Sequence, residues 1–170
     1  TIETKAGGFY KVYTRFWHAC RDKGDPAQPL PAPKHIKTPS KKIPGDTLED
    51  LALLPTSPDW AGGLRDRWTP GEDAFLNVID GYNDGRNFPA TPATSNLSAF
   101  LHTGDISPRQ IWHKTLKAHG WTKASEAFLK EIVWREFAYH VFYYLPELPS
   151  EPMYEKFASF PWQHDDAALT

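Results

Sequence analysis

The sequence lacks several features that define whole classes of proteins. Among 170 residues it has a single cysteine, Cys20, so no disulfide can form within the chain. It has no apolar run of about 18 residues, the length that a transmembrane helix needs. Its first residues contain no apolar segment of the kind found in secretory signals. A reducing compartment is therefore compatible with the sequence, and no membrane span is expected.

The sequence also lacks the patterns that are typical of metal sites and of hydrolases. The seven histidines show no metal-ligand spacing, and with one cysteine no zinc site is expected. No Walker loop and no nucleophile elbow occurs. The net charge of −2 does not by itself indicate a nucleic-acid partner. Residues 1–42, however, hold nine Lys or Arg against three Asp or Glu, which fits either a polyanion-binding arm or a solvated segment.

Prolines set the first part of the chain apart. Eight of the sixteen lie in residues 1–60, and the run at residues 26–33 can form neither a helix interior nor a central strand. We expect residues 1–65 to be an extended connector laid over a surface, and a connector this long suggests another domain on its N-terminal side. The side chains expected to hold its second half are Leu51, Leu53, Leu54 and Trp60.

The chain beyond residue 65 has the spacing of helices, and no strand alternation follows residue 60. Residues 69–72 form a capping-box pattern before a helix whose apolar residues continue to Tyr82, and Gly85 ends that helix. The predicted fold is therefore mainly α. A Pro-rich extended connector is followed by residues 66–170, the N-terminal helices of a larger helical domain.

Two further helices have clear boundaries in the sequence. Residues 107–110 form a second capping box, which predicts a helix that ends near His119, before a glycine. The longest helix is expected from about Thr122 to Leu145, because Pro146 cannot continue it.

This longest helix carries a first candidate site. Glu131, Trp134 and Arg135 lie three and four residues apart, so a helix places them on one stripe. A carboxylate, an indole and a guanidinium together can bind a planar, polar ligand. The alternative is a buried tryptophan beside an ordinary Glu–Arg pair.

A second candidate site combines Tyr82 with the hydroxyl-rich segment, residues 94–98. Side-chain oxygens and backbone N–H groups before a helix can bind phosphate, although ordinary helix capping would use the same residues. Arg86 and Arg109 are candidate contacts to DNA phosphate, and the alternative for both is simple surface solvation.

Four blocks, taken in order, resemble the photolyase/cryptochrome family. They are residues 7–17 (GGFYKVYTRFW), 82–89 (YNDGRNFP), 94–109 (TSNLS, then LHTGDISPR) and 131–137 (EIVWREF). The resemblance is strongest to members that repair cyclobutane pyrimidine dimers, because both Glu131 and Trp134 are present. Cryptochromes tend to differ at one or the other of these positions.

The resemblance implies a role for each candidate residue. Glu131 matches the carboxylate that hydrogen-bonds the lesion, and Trp134 matches the indole that packs against it. Arg86 matches a contact to the lesion strand, and Trp162 matches the surface-proximal tryptophan of an electron-transfer chain. The implied FAD contacts are Tyr82, Thr94, Ser95, Asn96, Leu97, Ser98, Phe128 and Arg135.

The function implied by the resemblance is light-dependent repair of pyrimidine dimers in DNA, by electron transfer from reduced FAD. The alternative is a cryptochrome-like blue-light signalling module without repair. The resemblance also implies that the chain covers only the interdomain linker and the first part of the FAD-binding domain. An antenna chromophore, folate or deazaflavin, is then expected in an absent N-terminal domain, and the chain alone is expected to be inactive without its remaining polypeptide. The absence of targeting signals fits a bacterial cytoplasm.

Overall fold

The computed structural model of the chain describes residues 2–41, 43–71, 82–161, 163 and 167. Across these residues the chain is helical and has no β-strand, which confirms the mainly α fold. None of the helices described is long and apolar enough to cross a membrane. The helices are α1 (Tyr13–Asp22), α2 (Gly62–Arg67), α3 (Tyr82–Gly85), α4 (Ser98–Thr103), α5 (Pro108–His119) and α6 (Lys123–Tyr144), with a 3-10 turn at Glu155–Phe157.

The chain divides into two compact units. The first combines Thr1–Asp25 with Ala127–Thr170, and the second is Pro26–Glu126. The boundary predicted near residue 65, between a linker and the FAD-binding domain of a longer protein, stays a prediction.

The first unit contains a helix that the sequence analysis did not predict. Residues 13–22 form α1, so the extended conformation expected there is wrong. Phe16 and Trp17 are buried on this helix, and the ring of Phe16 lies 5.4 Å from that of Phe137 and 4.8 Å from that of His140, both on α6. Because a ten-residue helix is marginal alone in water, this packing is what stabilises α1.

The Pro-rich part of the connector has no helix or strand between residues 25 and 60, within the described positions, as predicted. A local turn forms where the Asp50 carboxylate accepts hydrogen bonds from the Thr47 backbone N–H and hydroxyl, each at 2.8 Å. The predicted anchors of this segment are wrong, because all four side chains are exposed. They are Leu51, Leu53, Leu54 and Trp60.

Capping side chains set the start of α5 and α6 where the sequence predicts them. The Ser107 hydroxyl accepts from the Gln110 N–H at 3.2 Å, and the Gln110 side chain accepts from the Ser107 N–H at 2.8 Å. Before α6, the Ser125 hydroxyl accepts from the Thr122 N–H at 2.8 Å, and the Thr122 hydroxyl accepts from the Ser125 N–H at 3.1 Å. The 22-residue α6 therefore begins at a fixed register, which sets the direction of every side chain on it.

The helix predicted from residue 69 to Gly85 is described only near its end. Residues 72–81 lie outside the described part of the chain, and Tyr82–Gly85 is α3. A methyl group added to Gly85 would lie 2.2 Å from the Ala93 Cβ, so the end of α3 and the chain before Thr94 approach each other closely. This contact brings the two parts of the second candidate site together within one unit.

Candidate functional site

Trp134 is the most distinctive side chain on α6. Its indole is 47% exposed, yet one face stacks on the Tyr13 ring, with centroids 3.6 Å apart and planes 9° from parallel. The edge of Phe137 meets the same indole at 5.7 Å and 77°. Trp134 is therefore a half-exposed ring held by two aromatic neighbours, rather than the buried core tryptophan of the alternative interpretation.

Tyr13 is attached to α6 by its hydroxyl as well as its ring. The hydroxyl donates a hydrogen bond of 2.8 Å to the Lys130 carbonyl oxygen. Burial, and secondly the negative charge of Glu131, raise the pKa of the Tyr13 phenol well above its ordinary value. The phenol therefore stays protonated and remains a hydrogen-bond donor at physiological pH.

Glu131 and Arg135 lie on the same helix as Trp134, so the stripe expected from their spacing is present. Glu131 is exposed. The Arg135 guanidinium pairs with the Glu136 carboxylate at 2.8 Å and lies over the Tyr139 ring, 4.7 Å from its centroid. Arg135 thus contacts two neighbours on α6, and the exposed Glu131 lies one turn before the indole.

The second candidate site lies in the Pro26–Glu126 unit. Tyr82 is buried, and the Arg86 guanidinium lies 5.6 Å from its ring centroid, within the range of a cation–π contact. Arg86 is the residue after Gly85, and Gly85 lies close to Ala93. Gly85 lies between the two in the sequence, and it approaches the chain just before the hydroxyl-rich segment.

The hydroxyl-rich segment has an irregular backbone and polar side chains near the surface. Asn96 adopts a left-handed backbone conformation, with φ of +53°. The Thr94 hydroxyl and Asn96 side chain, and the Ser95 hydroxyl and Leu97 N–H, are joined only by long hydrogen bonds of 3.4 Å. The N-cap of α4 is Leu97, which makes no side-chain capping bond. Conventional capping therefore does not account for these polar groups.

Three of the predicted site residues are either buried or outside the described part of the chain. Leu97 and Phe128 are each only 1% exposed, so their side chains belong to the core in this structure, and their predicted cofactor contacts stay predictions. Trp162, the predicted electron-transfer residue, lies outside the described residues. No cluster of three or more potential metal-ligating side chains occurs in the part of the chain that the structure describes.

Sequence reasoning missed Tyr13 as part of this site. The residue lies in the block at residues 7–17, which contributed to the resemblance, but that block was interpreted as connector. Tyr10, Tyr13 and Phe16 lie three residues apart, an aromatic spacing that fits one helix face and is the signal that could have identified α1.

Known proteins similar to this chain include several photolyases, although no protein-family model matches it. It is 42% identical to a deoxyribodipyrimidine photo-lyase of Agrobacterium fabrum, over 99% of this chain and 37% of the relative. It is 33% identical to the same enzyme of a Synechococcus species, over 99% of this chain and 38% of the relative. A bacterial class III photolyase structure from Agrobacterium tumefaciens matches with a TM-score of 0.86 and 42% identity, over 98% of this chain and 37% of that one. The chain thus spans well under half the length of these relatives.

Proposed function

We propose, from the premise that this chain belongs to the photolyase/cryptochrome family, that it takes part in light-dependent repair of cyclobutane pyrimidine dimers in DNA. The observation that carries the proposal is the half-exposed Trp134 indole, stacked on Tyr13, with the exposed Glu131 carboxylate one helical turn away. Because the chain corresponds to 37% of the Agrobacterium relative, it would act only together with the remaining polypeptide.

The lesion would be bound by a flat apolar surface and a hydrogen-bond acceptor. A dimer flipped out of the duplex exposes its polar edges and loses its stacking partners. The uncovered face of Trp134 can replace the lost stacking, and the Glu131 carboxylate can accept hydrogen bonds from the lesion's N–H groups. Arg86 would contact the phosphate of the lesion strand.

The chain also offers groups that fit a dinucleotide cofactor such as FAD. Tyr82 and the hydroxyl and amide groups of residues 94–98 suit its phosphates and ribityl chain, and the Arg135 guanidinium suits an anionic or carbonyl oxygen. Leu97 would belong to the cofactor contacts of the hydroxyl-rich segment and Phe128 to those of α6, and both side chains are buried. Bound and reduced, FAD would supply the electron that opens the cyclobutane ring.

An electron-transfer residue and an antenna chromophore would complete the function. Trp162 would relay an electron toward the flavin when the flavin is reduced by light. A folate or deazaflavin antenna would bind a domain other than the two units described above, and would pass on excitation energy.

A segment exchange tests the proposal. The matching part of the Agrobacterium fabrum relative is replaced by this chain, and flavin absorbance and light-dependent repair of thymine-dimer DNA are measured. We expect bound flavin and repair. The substitution Glu131→Gln should lower repair about tenfold or more, because a hydrogen bond to a charged group contributes about 1.5–3 kcal/mol.

The matched control is Glu147→Gln, an exposed carboxylate beyond the end of α6, which should leave repair unchanged. An exchanged protein that binds flavin but repairs nothing would contradict the repair function and favour the signalling alternative. Repair that is insensitive to Glu131→Gln would contradict the role of this helix in lesion binding.

A further inference from the structure

The Tyr13–Trp134 contact is a nearly parallel ring stack, which restricts the orientation of the indole. A stacking distance of 3.6 Å with nearly parallel planes places the Tyr13 ring against one face of the indole. Phe137 meets both rings edge-on, at 5.8 Å from Tyr13 and 5.7 Å from Trp134. The three rings therefore leave the opposite face of the indole as the one that can accept another flat group.

The hydroxyl of Tyr13 fixes where the stacked ring lies along α6. It donates to the Lys130 carbonyl, which in an α-helix is also the acceptor for the Trp134 N–H. Tyr13 thus contacts both the side chain of Trp134 and the peptide group that holds its backbone. The same carbonyl belongs to the peptide bond that leads into Glu131, so one residue of α1 is attached next to both proposed lesion contacts.

We propose that Tyr13 is a positioning residue, which holds the Trp134 indole in the orientation in which its uncovered face packs against the lesion. The inference rests on the proposed function, since it requires Trp134 to contact the dimer. It goes further in assigning part of the lesion site to α1, which lies outside the helical domain expected from the sequence. Tyr13 itself touches no lesion and takes part in no chemical step.

The alternative is that Tyr13 only attaches α1 to α6. A purely structural contact would alter the stability of the protein and would affect damaged and undamaged DNA alike. A positioning contact instead alters the preference for damaged DNA, and its effect requires the indole to be present.

The experiment measures dissociation constants for one duplex with and without a thymine dimer, using the segment-exchanged photolyase. Tyr13→Leu removes the ring, Tyr13→Phe keeps the ring without its hydroxyl, and Trp134→Ala removes the partner. Tyr143→Leu is the matched control, because Tyr143 is an exposed tyrosine on α6, the helix that carries Trp134. We expect Tyr13→Leu to lower the preference for the dimer about threefold to tenfold, the range for loss of one aromatic pair.

Two further results are expected if Tyr13 acts through Trp134. Tyr13→Phe should keep most of the preference, because the stacked ring remains. Tyr13→Leu should have no additional effect in a Trp134→Ala background. Flavin content and affinity for undamaged DNA should be unchanged throughout. If Tyr13→Leu fails to retain flavin, Tyr13→Met replaces it, since Met fills similar space with a flexible chain and no flat ring.

The proposal is overturned if the Tyr13→Leu protein binds flavin and prefers the dimer as strongly as the unsubstituted protein. It is also overturned if Tyr13→Leu lowers the preference for the dimer equally with and without Trp134. Near-ultraviolet circular dichroism of the 170-residue chain tests the stack separately. Its aromatic signal should change in Tyr13→Leu and Trp134→Ala and persist in Tyr13→Phe. If that pattern holds while Trp134→Ala leaves the dimer preference intact, the proposed lesion contact fails although the stack is real.

Discussion

Replacing Gly85 by alanine tests the close approach that joins α3 to the hydroxyl-rich segment. The new Cβ would lie 2.2 Å from the Ala93 Cβ and 3.3 Å from the Thr91 methyl group. Non-bonded carbon atoms prefer about 3.5–4.0 Å, so one backbone segment must move by roughly 1.5 Å. The Thr91 side chain can rotate, but a Cβ moves only with its backbone.

The size of the effect follows from two opposing contributions. Overpacking of this kind costs about 1–3 kcal/mol. Gly85 is helical, with no positive φ, so alanine would also gain roughly 0.5–1 kcal/mol over glycine at this position. We expect a net decrease in the free energy of unfolding of about 1–2 kcal/mol.

Urea denaturation of the chain, followed by circular dichroism, measures this difference. The matched control is Gly63→Ala in α2, where an added Cβ would meet nothing within 4 Å, so the stability should be unchanged or slightly increased. The double substitution Gly85→Ala with Ala93→Gly should recover part of the loss. If Gly85→Ala alone is as stable as the unsubstituted chain, the two segments do not approach each other as described.

Two other substitutions have clear expected outcomes. Phe128→Ala should lower the free energy of unfolding by about 3–5 kcal/mol, because Phe128 is fully buried. The control Phe142→Ala, on the exposed part of α6, should lower it much less, and urea denaturation measures both. Burial lowers the pKa of His140, whose Nε2 accepts the Tyr10 N–H at 3.0 Å. The unfolded chain therefore binds a proton at His140 more readily than the folded chain, so the free energy of unfolding should fall as pH decreases below about 6.5. This loss should be smaller in His140→Gln than in His35→Gln, the control at an exposed histidine.

The sequence by itself determined the features that depend on neighbouring residues. The capping residues Ser107 and Gln110, and the proline after α6, gave the boundaries of α5 and α6 within one or two residues, because caps and helix breakers act over a single turn. The spacing of Glu131, Trp134 and Arg135 placed them on one helix stripe for the same reason.

Only the tertiary structure decided which of these side chains meet a partner. Tyr13 reaches a carbonyl 117 residues away along the chain, and no periodicity in either segment encodes that meeting. The same holds for burial: Phe128 lies in the core while the leucines of the connector are exposed, although all are apolar. Local patterns specify a helix and its faces, but whether a face is covered depends on a second segment that the chain brings to it, and that is a property of the fold.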